Sequence, residues 1–166
     1  MDDSDQHVEL RQNLGQFATG VTVITCSDRN GKPCGITANS FASVSLEPPL
    51  VLWSVAKTCN SLGAYLEAEH FAIHVLTADQ QDLSEHFARS DHTRFDQVEF
   101  ALSDHGVPLL SGVLARFDCR RFRIHDGGDH HIIVGEVLTH QARQGEPLVF
   151  CQGSYGTATL GPVRDR

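Results

Sequence analysis

The sequence lacks any apolar run near the roughly 18 residues that a membrane-spanning helix needs. Residues 1–6 are acidic and polar, unlike the basic and apolar start of an export signal. Basic residues are also scarce, since 13 Lys and Arg oppose 21 Asp and Glu for a formal net charge of -8. Such a surface repels nucleic acid backbones and anionic lipids. We therefore expect a cytoplasmic protein that binds neither nucleic acid nor membranes.

The sequence also lacks the common short motifs for disulfides, metals and nucleotides. It has no CxxC pair, no HExxH pair, no phosphate-binding loop and no GxGxxG fingerprint. His70 and His74 would share a strand face, which raises a metal site as an alternative, but the spacing of the ten histidines is unspecific. We expect no metal, a dinucleotide bound by some other scheme, and reduced thiols at the five cysteines, Cys26, Cys34, Cys59, Cys119 and Cys151.

Strand patterns dominate what is present. With 166 residues and 40% hydrophobic residues, the chain fits one domain over residues 1–166. The apolar positions change parity near Arg120 and Arg121, which predicts a β-bulge there. Hairpin turns are predicted at 28–31 and 126–129, between strands at 20–27, 34–41, 50–55, 71–76, 113–125 and 130–139. These strands predict an antiparallel barrel or sandwich.

Three short helices are predicted around these strands. Leu10, Leu14 and Phe17 have helical spacing and predict an amphipathic helix over 6–18, ending near Gly20. Ser61 is placed to cap a second helix over 62–68. A capping box formed by Thr77 and Gln80 predicts a third helix over 78–88.

Residues 35–45 combine small hydroxyl and amide side chains and carry no charge, and Pro48 and Pro49 follow shortly after them. Small side chains let backbone N-H and C=O groups approach a planar heterocycle that carries several donors and acceptors. The alternative is a surface loop rich in Ser and Thr. On composition alone, both interpretations stay open.

Two further groups of residues suggest contacts to a nucleotide. A phosphate could be held by the hydroxyl and basic side chains of Lys57, Ser61, Arg89 and Arg94, although each alone is typical of a helix cap or a solvated face. His130 and His131 enter a strand from a hairpin tip and must point to opposite faces. One of them could contact a nicotinamide ring, and the alternative is an imidazole at the edge of a turn.

Taken together, five segments resemble the flavin reductase family of FMN-binding split barrels. They are 17–25, 35–49 with Thr-Ala-Asn-Ser and Pro-Pro, 71–76, 83–88 followed by Arg94-Phe95, and 128–137 with Gly-Asp-His-His. The resemblance covers roughly residues 10–160. It implies a mainly β fold, the split β-barrel, which is a Greek-key antiparallel barrel with short flanking helices.

The resemblance also implies roles for individual residues. Thr37, Ala38, Asn39 and Ser40 would line the isoalloxazine and ribityl chain, and His130 would contact the nicotinamide nucleotide. Ser54, Ser61, Arg89 and Arg94 would lie near the phosphate end. Lys57 is a further candidate there from its charge, at a position where family members vary, and Tyr155 represents the family's C-terminal aromatic region among the cofactor-binding residues. The family further implies a homodimer with two flavin sites along the subunit interface.

The function implied is that of an NAD(P)H:flavin oxidoreductase, with NADH expected over NADPH because no clear basic group near Asp129 is available for a 2′-phosphate. Hydride would pass to FMN or FAD, and the reduced flavin would leave for a partner monooxygenase. One alternative is a non-catalytic flavin- or haem-binding sensor or carrier on the same barrel. Another is an oxidase of the pyridoxamine phosphate type, which would need an additional basic cluster that the sequence does not show.

Overall fold

In the computed structural model, which describes residues 3–89, 95–159 and 161, strands dominate over helices. The strands are β1 (Thr19–Gly20), β2 (Thr22–Ser27), β3 (Pro33–Ala38), β4 (Ala42–Leu46), β5 (Pro49–Ala56), β6 (His70–Val75), β7 (Phe100–Leu102), β8 (Pro108–Leu110), β9 (Ala115–Gly127), β10 (His130–Ala142), β11 (Leu148–Cys151) and β12 (Ser154–Thr157). The helices are α1 (Asp3–Leu14), α2 (Leu62–Glu67) and α3 (Gln81–Ala88), the last preceded by a 3₁₀ turn at Ala78–Gln80. The predicted mainly β class is confirmed.

Seven strands form one antiparallel sheet in the order β3-β2-β6-β9-β10-β5-β4. At one end of this sheet, the hydroxyl of Ser40, just before β4, accepts a hydrogen bond from the backbone N-H of Ser54 in β5 at 2.9 Å and extends the β4–β5 pairing. At the other end, β3 contacts β5 without a ladder between them, so the barrel is split there. β1, β11 and β12 form a separate sheet of three strands, and β7 pairs with β8.

β2 is buried on both faces because it runs between two apolar clusters. Successive side chains of a strand point to opposite faces. Ile24 and Cys26 therefore belong to the first cluster, which surrounds Trp53, while Val23 belongs to the second. The second cluster includes Phe87 of α3 and joins that helix to the sheet. The core thus fixes α3 against the strands that carry the candidate site.

The two hairpins and the bulge of the sequence analysis are present. β2 and β3 pair around the turn that begins at Asp28, and β9 and β10 pair around the second turn. In β9, Arg121 pairs with Gly135 and Arg123 with Val134, so Phe122 is the extra residue. The bulge lies one residue beyond the predicted position. β4 was not predicted, although Ala42, Val44 and Leu46 alternate with Ser43 and Ser45 in that strand.

The first helix differs from the prediction. α1 ends at Leu14 rather than continuing to residue 18, and Leu14 and Phe17 are exposed. The chain turns at Gly15, whose carbonyl accepts a hydrogen bond from the backbone N-H of Gln152, at 2.7 Å. Pairing with the β11–β12 turn therefore ends the helix early. Of the helices in the described ranges, none has the length and apolarity needed to cross a membrane.

The other two helices begin where the sequence predicted. The Thr77 capping box forms, with the backbone N-H of Thr77 donating to Oε1 of Gln80 at 3.1 Å, and it initiates the 3₁₀ turn before α3. Ser61 precedes α2, but its side chain makes no capping hydrogen bond. Its predicted role as an N-cap is wrong in that respect, because its backbone dihedrals are not those of a standard cap.

Candidate functional site

The end of β3 carries the residues predicted to contact a planar heterocycle. Thr37 and Ala38 close the strand, and Asn39 and Ser40 lead to β4. The hydroxyl of Thr37 donates to the backbone carbonyl of Ser84 in α3 at 2.6 Å. Together with the bond between Ser40 and Ser54, this contact fixes the segment at both of its ends. The two hydroxyls hold the backbone in place, and the flavin-contact role of residues 37–40 stays a prediction.

Tyr155 joins the same group through α3. Its hydroxyl oxygen lies 2.8 Å from the Ser84 hydroxyl, and its ring makes an edge contact with Phe150 at a centroid separation of 5.2 Å. Thr37, Ser84 and Tyr155 therefore form one cluster between β3, α3 and β12. Sequence reasoning missed Ser84. The available signal was its position in the 83–88 segment that carries the family resemblance.

A groove of about 700 Å³ extends from Asn39 and has the composition that a planar heterocycle needs. Phe17 and Phe150 supply apolar walls. Thr19 also lines it, and the Thr19 hydroxyl is buried without a hydrogen-bond partner among the described residues. Because a buried polar atom without a partner is costly, this hydroxyl fits a ligand that brings a hydrogen-bonding edge into the groove. The residues present therefore fit a flavin ring.

The β9–β10 hairpin places His130 on the face of the sheet that carries Ser54. His130 pairs with Ala56 and Ile132 pairs with Ser54, and residues two apart on a strand share a face. His131 pairs with Val55 and shares its face, so the two histidines point in opposite directions, as predicted. Of the two, His130 is the one on the side of the Ser40 and Ser54 contact.

Acidic side chains surround the basic groups at this hairpin tip. Lys57 Nζ lies 2.6 Å from Asp126 Oδ2, and His130 Nδ1 lies 2.7 Å from Asp129 Oδ1. Hydrogen bonds from Lys57 and from His130 lower the pKa of Asp126 and of Asp129, respectively. Two ionised carboxylates at the tip disfavour an additional phosphate there.

The described residues that were predicted at the phosphate end do not line one common cavity. Ser61 is buried and lines a separate cavity that begins at α2, whose described lining does not include Lys57 or Arg89. Arg89 is exposed directly after α3. Arg94 lies outside the described residues. The phosphate-binding roles of these side chains and of Lys57 stay predictions.

In the ranges that the structure describes, the two histidines of the metal alternative make other contacts. The Nδ1 atom of His74 is 3.1 Å from the carbonyl oxygen of Val23, and its Nε2 atom accepts the backbone N-H of Leu110 at 3.1 Å. His70 stacks on His105 with ring centroids 3.9 Å apart. Within those ranges, no group of three or more His, Cys, Asp or Glu residues is arranged to hold a metal ion.

Comparison with known proteins places these features in one family. The model of the flavin reductase like domain matches residues 14–159. The FMN reductase (NADH) of Agrobacterium fabrum is 56% identical over 89% of this chain and 83% of its own length. The solved NADH:FAD oxidoreductase of Streptomyces globisporus C-1027, in complex with NAD and FAD fragments, is 38% identical with a TM-score of 0.87 and covers 99% of both chains.

A third relative is longer than this chain. The reductase component of the flavin-dependent trigonelline monooxygenase of Acinetobacter baylyi is 44% identical over 95% of this chain. The chain spans about half of it, 51% of its length. The shared part is therefore the barrel domain described above.

Proposed function

Because the chain belongs to the flavin reductase like domain family, we propose that it is an NADH-preferring NAD(P)H:flavin oxidoreductase that reduces FMN or FAD. The observation that carries the proposal is the groove at Asn39, which holds a buried hydroxyl without a partner beside two aromatic walls. The relatives described above are named as reductases or as an oxidoreductase, and none of those names supports a non-catalytic sensor or carrier.

The protein's part in the reaction is alignment. A bound flavin supplies the hydride-accepting N5 atom, and nicotinamide C4 supplies the hydride. The backbone of residues 37–40 would orient the ring, and Asn39 is the residue of that segment that lines the groove. Thr19 would add its hydroxyl, while Phe17 and Phe150 would exclude water from one side of the ring. His130 would position the nicotinamide from the face of the sheet that it shares with Ser54. No side chain needs to act as an acid or a base for this transfer.

We further propose that the chain works as a cytoplasmic homodimer and that a partner monooxygenase uses the reduced flavin. Support for the dimer comes from large exposed apolar side chains at the end of α1, in the loop after it and on β4. The most exposed are Leu14 at 67%, Phe17 at 79% and Leu46 at 91%. Leu14 and Phe17 both line the groove proposed for the flavin, so they form a continuous apolar patch there, and such patches are typical of interfaces. A second copy of the chain would cover this surface and complete the flavin site.

The proposed activity predicts that the protein oxidises NADH in the presence of free flavin. Under anaerobic conditions, NADH and a catalytic amount of protein should bleach FMN or FAD with an equal loss of NADH absorbance. The same mixture without protein is the control, and NADPH in a parallel sample reports nucleotide preference. If neither flavin is bleached above the control rate, the proposed function is wrong.

Replacing His130 with alanine should weaken nicotinamide use while leaving flavin binding intact. Loss of one polar contact in the complex corresponds to about a fivefold to tenfold rise in KM for NADH. The dissociation constant for flavin, measured by fluorescence titration, should stay within about twofold. His131→Ala is the matched control, because His131 is the neighbouring histidine on the opposite face. Equal losses of both affinities in His130→Ala would contradict the assignment.

A further inference from the structure

Two cysteines face each other across the β2–β3 hairpin. Cys26 and Cys34 are direct partners in the antiparallel register, and both are buried in the cluster around Trp53. Directly opposite residues in such a ladder have Cα atoms about 4.5 to 5.5 Å apart, which is within the range that a disulfide bridges. Both thiols are free in this structure.

Cys34 is also reachable from solvent. It lines a cavity of about 370 Å³ together with Ser61, and an ion pair between Arg29 and Glu67, 2.5 Å long, lies at the same cavity. Both side chains of that pair are well exposed, so the pair can open without disturbing the core. Cys26, which is fully buried, does not line the cavity. A small solute that enters would meet Cys34 first.

The surroundings of the two sulfur atoms differ. The pKa of the Cys34 thiol lies below its ordinary value, chiefly because Cys26 donates a hydrogen bond to its sulfur. Burial and the charge of Asp28 raise this pKa, while Lys32 and the Ser61 hydroxyl lower it. The pKa of Cys26 is raised by its hydrogen-bonded contact with Cys34 and by burial. Because Cys34 lines the cavity and Cys26 does not, Cys34 is the member that an entering oxidant meets, and the direction of its pKa favours the nucleophilic thiolate.

We propose that Cys34 and Cys26 form an oxidisable dithiol, in which a peroxide entering the cavity under α2 oxidises Cys34 and Cys26 then closes a cross-strand disulfide. In the first step the Cys34 sulfur attacks one oxygen of hydrogen peroxide. An S-O bond forms, the O-O bond breaks, and the leaving hydroxide takes the Cys34 proton to become water. In the second step the Cys26 sulfur attacks the Cys34 sulfur, the S-O bond breaks, and a second water leaves with the Cys26 proton.

The balance is complete with hydrogen peroxide as the oxidant. Two thiols lose two electrons and two protons, and one peroxide becomes two waters. Reduced flavin that meets oxygen instead of an oxygenase yields peroxide, so the proposed function would expose this site to its oxidant. The site itself does not depend on that function, because peroxide can be added to the pure protein.

Peroxide treatment of the full chain tests the proposal. After brief exposure and denaturation, titratable thiols should fall from five to three, and the intact mass should drop by about 2 Da. Peptide mapping without reduction should link the segments that contain Cys26 and Cys34. Retention of all five thiols, or a link from Cys34 to Cys59 instead, would overturn the proposal.

Three variants separate the roles of the sulfur atoms. Cys34→Ser should keep its other thiols under the same treatment, whereas Cys26→Ser should stop at a Cys34 sulfenic acid that dimedone labels. Cys26→Ala gives the same readout without placing a hydroxyl in the core. Cys151→Ser is the matched control, because Cys151 lies in β11 outside this cavity, and it should form the disulfide normally. Unchanged thiol loss in Cys34→Ser would also contradict the proposal.

Discussion

Lowering the pH from about 7 to about 4 should reduce the free energy of unfolding by about 3 kcal/mol through His74 alone. His74 is fully buried in β6, and burial lowers its pKa from 6.5 to about 4. Nε2 accepts a hydrogen bond from Leu110, so the neutral ring carries its proton on Nδ1, which donates to Val23. Protonation would place a second N-H against the Leu110 N-H and a charge in the core.

The sign follows from which state binds the proton. Between about pH 6.5 and about pH 4 the unfolded chain holds a proton on His74 and the folded chain does not, so stability rises with pH across this window. The stabilisation is fully present above the unfolded pKa and is lost as the pH falls to the folded value. Arg116 lowers the pKa of His74 further and Asp118 opposes it, but burial is the largest cause.

Urea unfolding at half-unit pH steps measures this slope. The comparison is between slopes, because His74→Gln will be less stable at every pH after losing its backbone contacts. Between pH 4 and 6.5, the free energy of unfolding of His74→Gln should rise with pH less steeply, by the slope that corresponds to about one bound proton. His140→Gln, which removes an exposed histidine, should keep the full slope. An identical slope in His74→Gln and the unaltered chain would contradict the assignment.

The sequence predicted most strands because burial imposes a pattern on them. The continuous apolar run of β2 and the turn residues after it are direct consequences of a strand packed on both faces and of a tight hairpin. The bulge at Phe122 was visible as a change of parity for the same reason. β4 was missed for another reason, since its apolar residues Ala42, Val44 and Leu46 do alternate with serines but belong to a segment that is typical of a polar loop. The end of α1 depended on Gln152, a partner far along the chain, which local spacing cannot reveal.

The candidate site was predictable as a segment but not as a contact network. The small residues at 37–40 marked a surface for backbone contacts. The Ser40 contact depends on how β5 lies beside the segment. The link from Thr37 through Ser84 to Tyr155 depends on how α3 packs on β3. In the same way, a pocket hydroxyl such as Thr19 is recognised only when its burial and its lack of a partner are known.

Replacing Gly35 with alanine should destabilise the fold by about 1 to 3 kcal/mol, the usual cost of forcing extra volume into a packed core. A Cβ at this position would lie 2.5 Å from one ring atom of Phe87 and 3.2 Å from Phe95. Phe87 is fully buried, so its ring cannot turn away and α3 must move. Gly20→Ala is the matched control, since a Cβ on that strand glycine meets nothing within 4 Å.

The same displacement should reach the proposed flavin site, because α3 also carries Ser84, which contacts Thr37 and Tyr155. Thermal unfolding of Gly35→Ala should show a Tm lower by about 2 to 4 °C for each kcal/mol lost. Flavin titration below that transition should show weaker binding in Gly35→Ala and unchanged binding in Gly20→Ala. A lower Tm with flavin affinity intact would mean that the core absorbs the methyl group locally. In that case α3 would not be the element that sets the shape of the 37–40 segment.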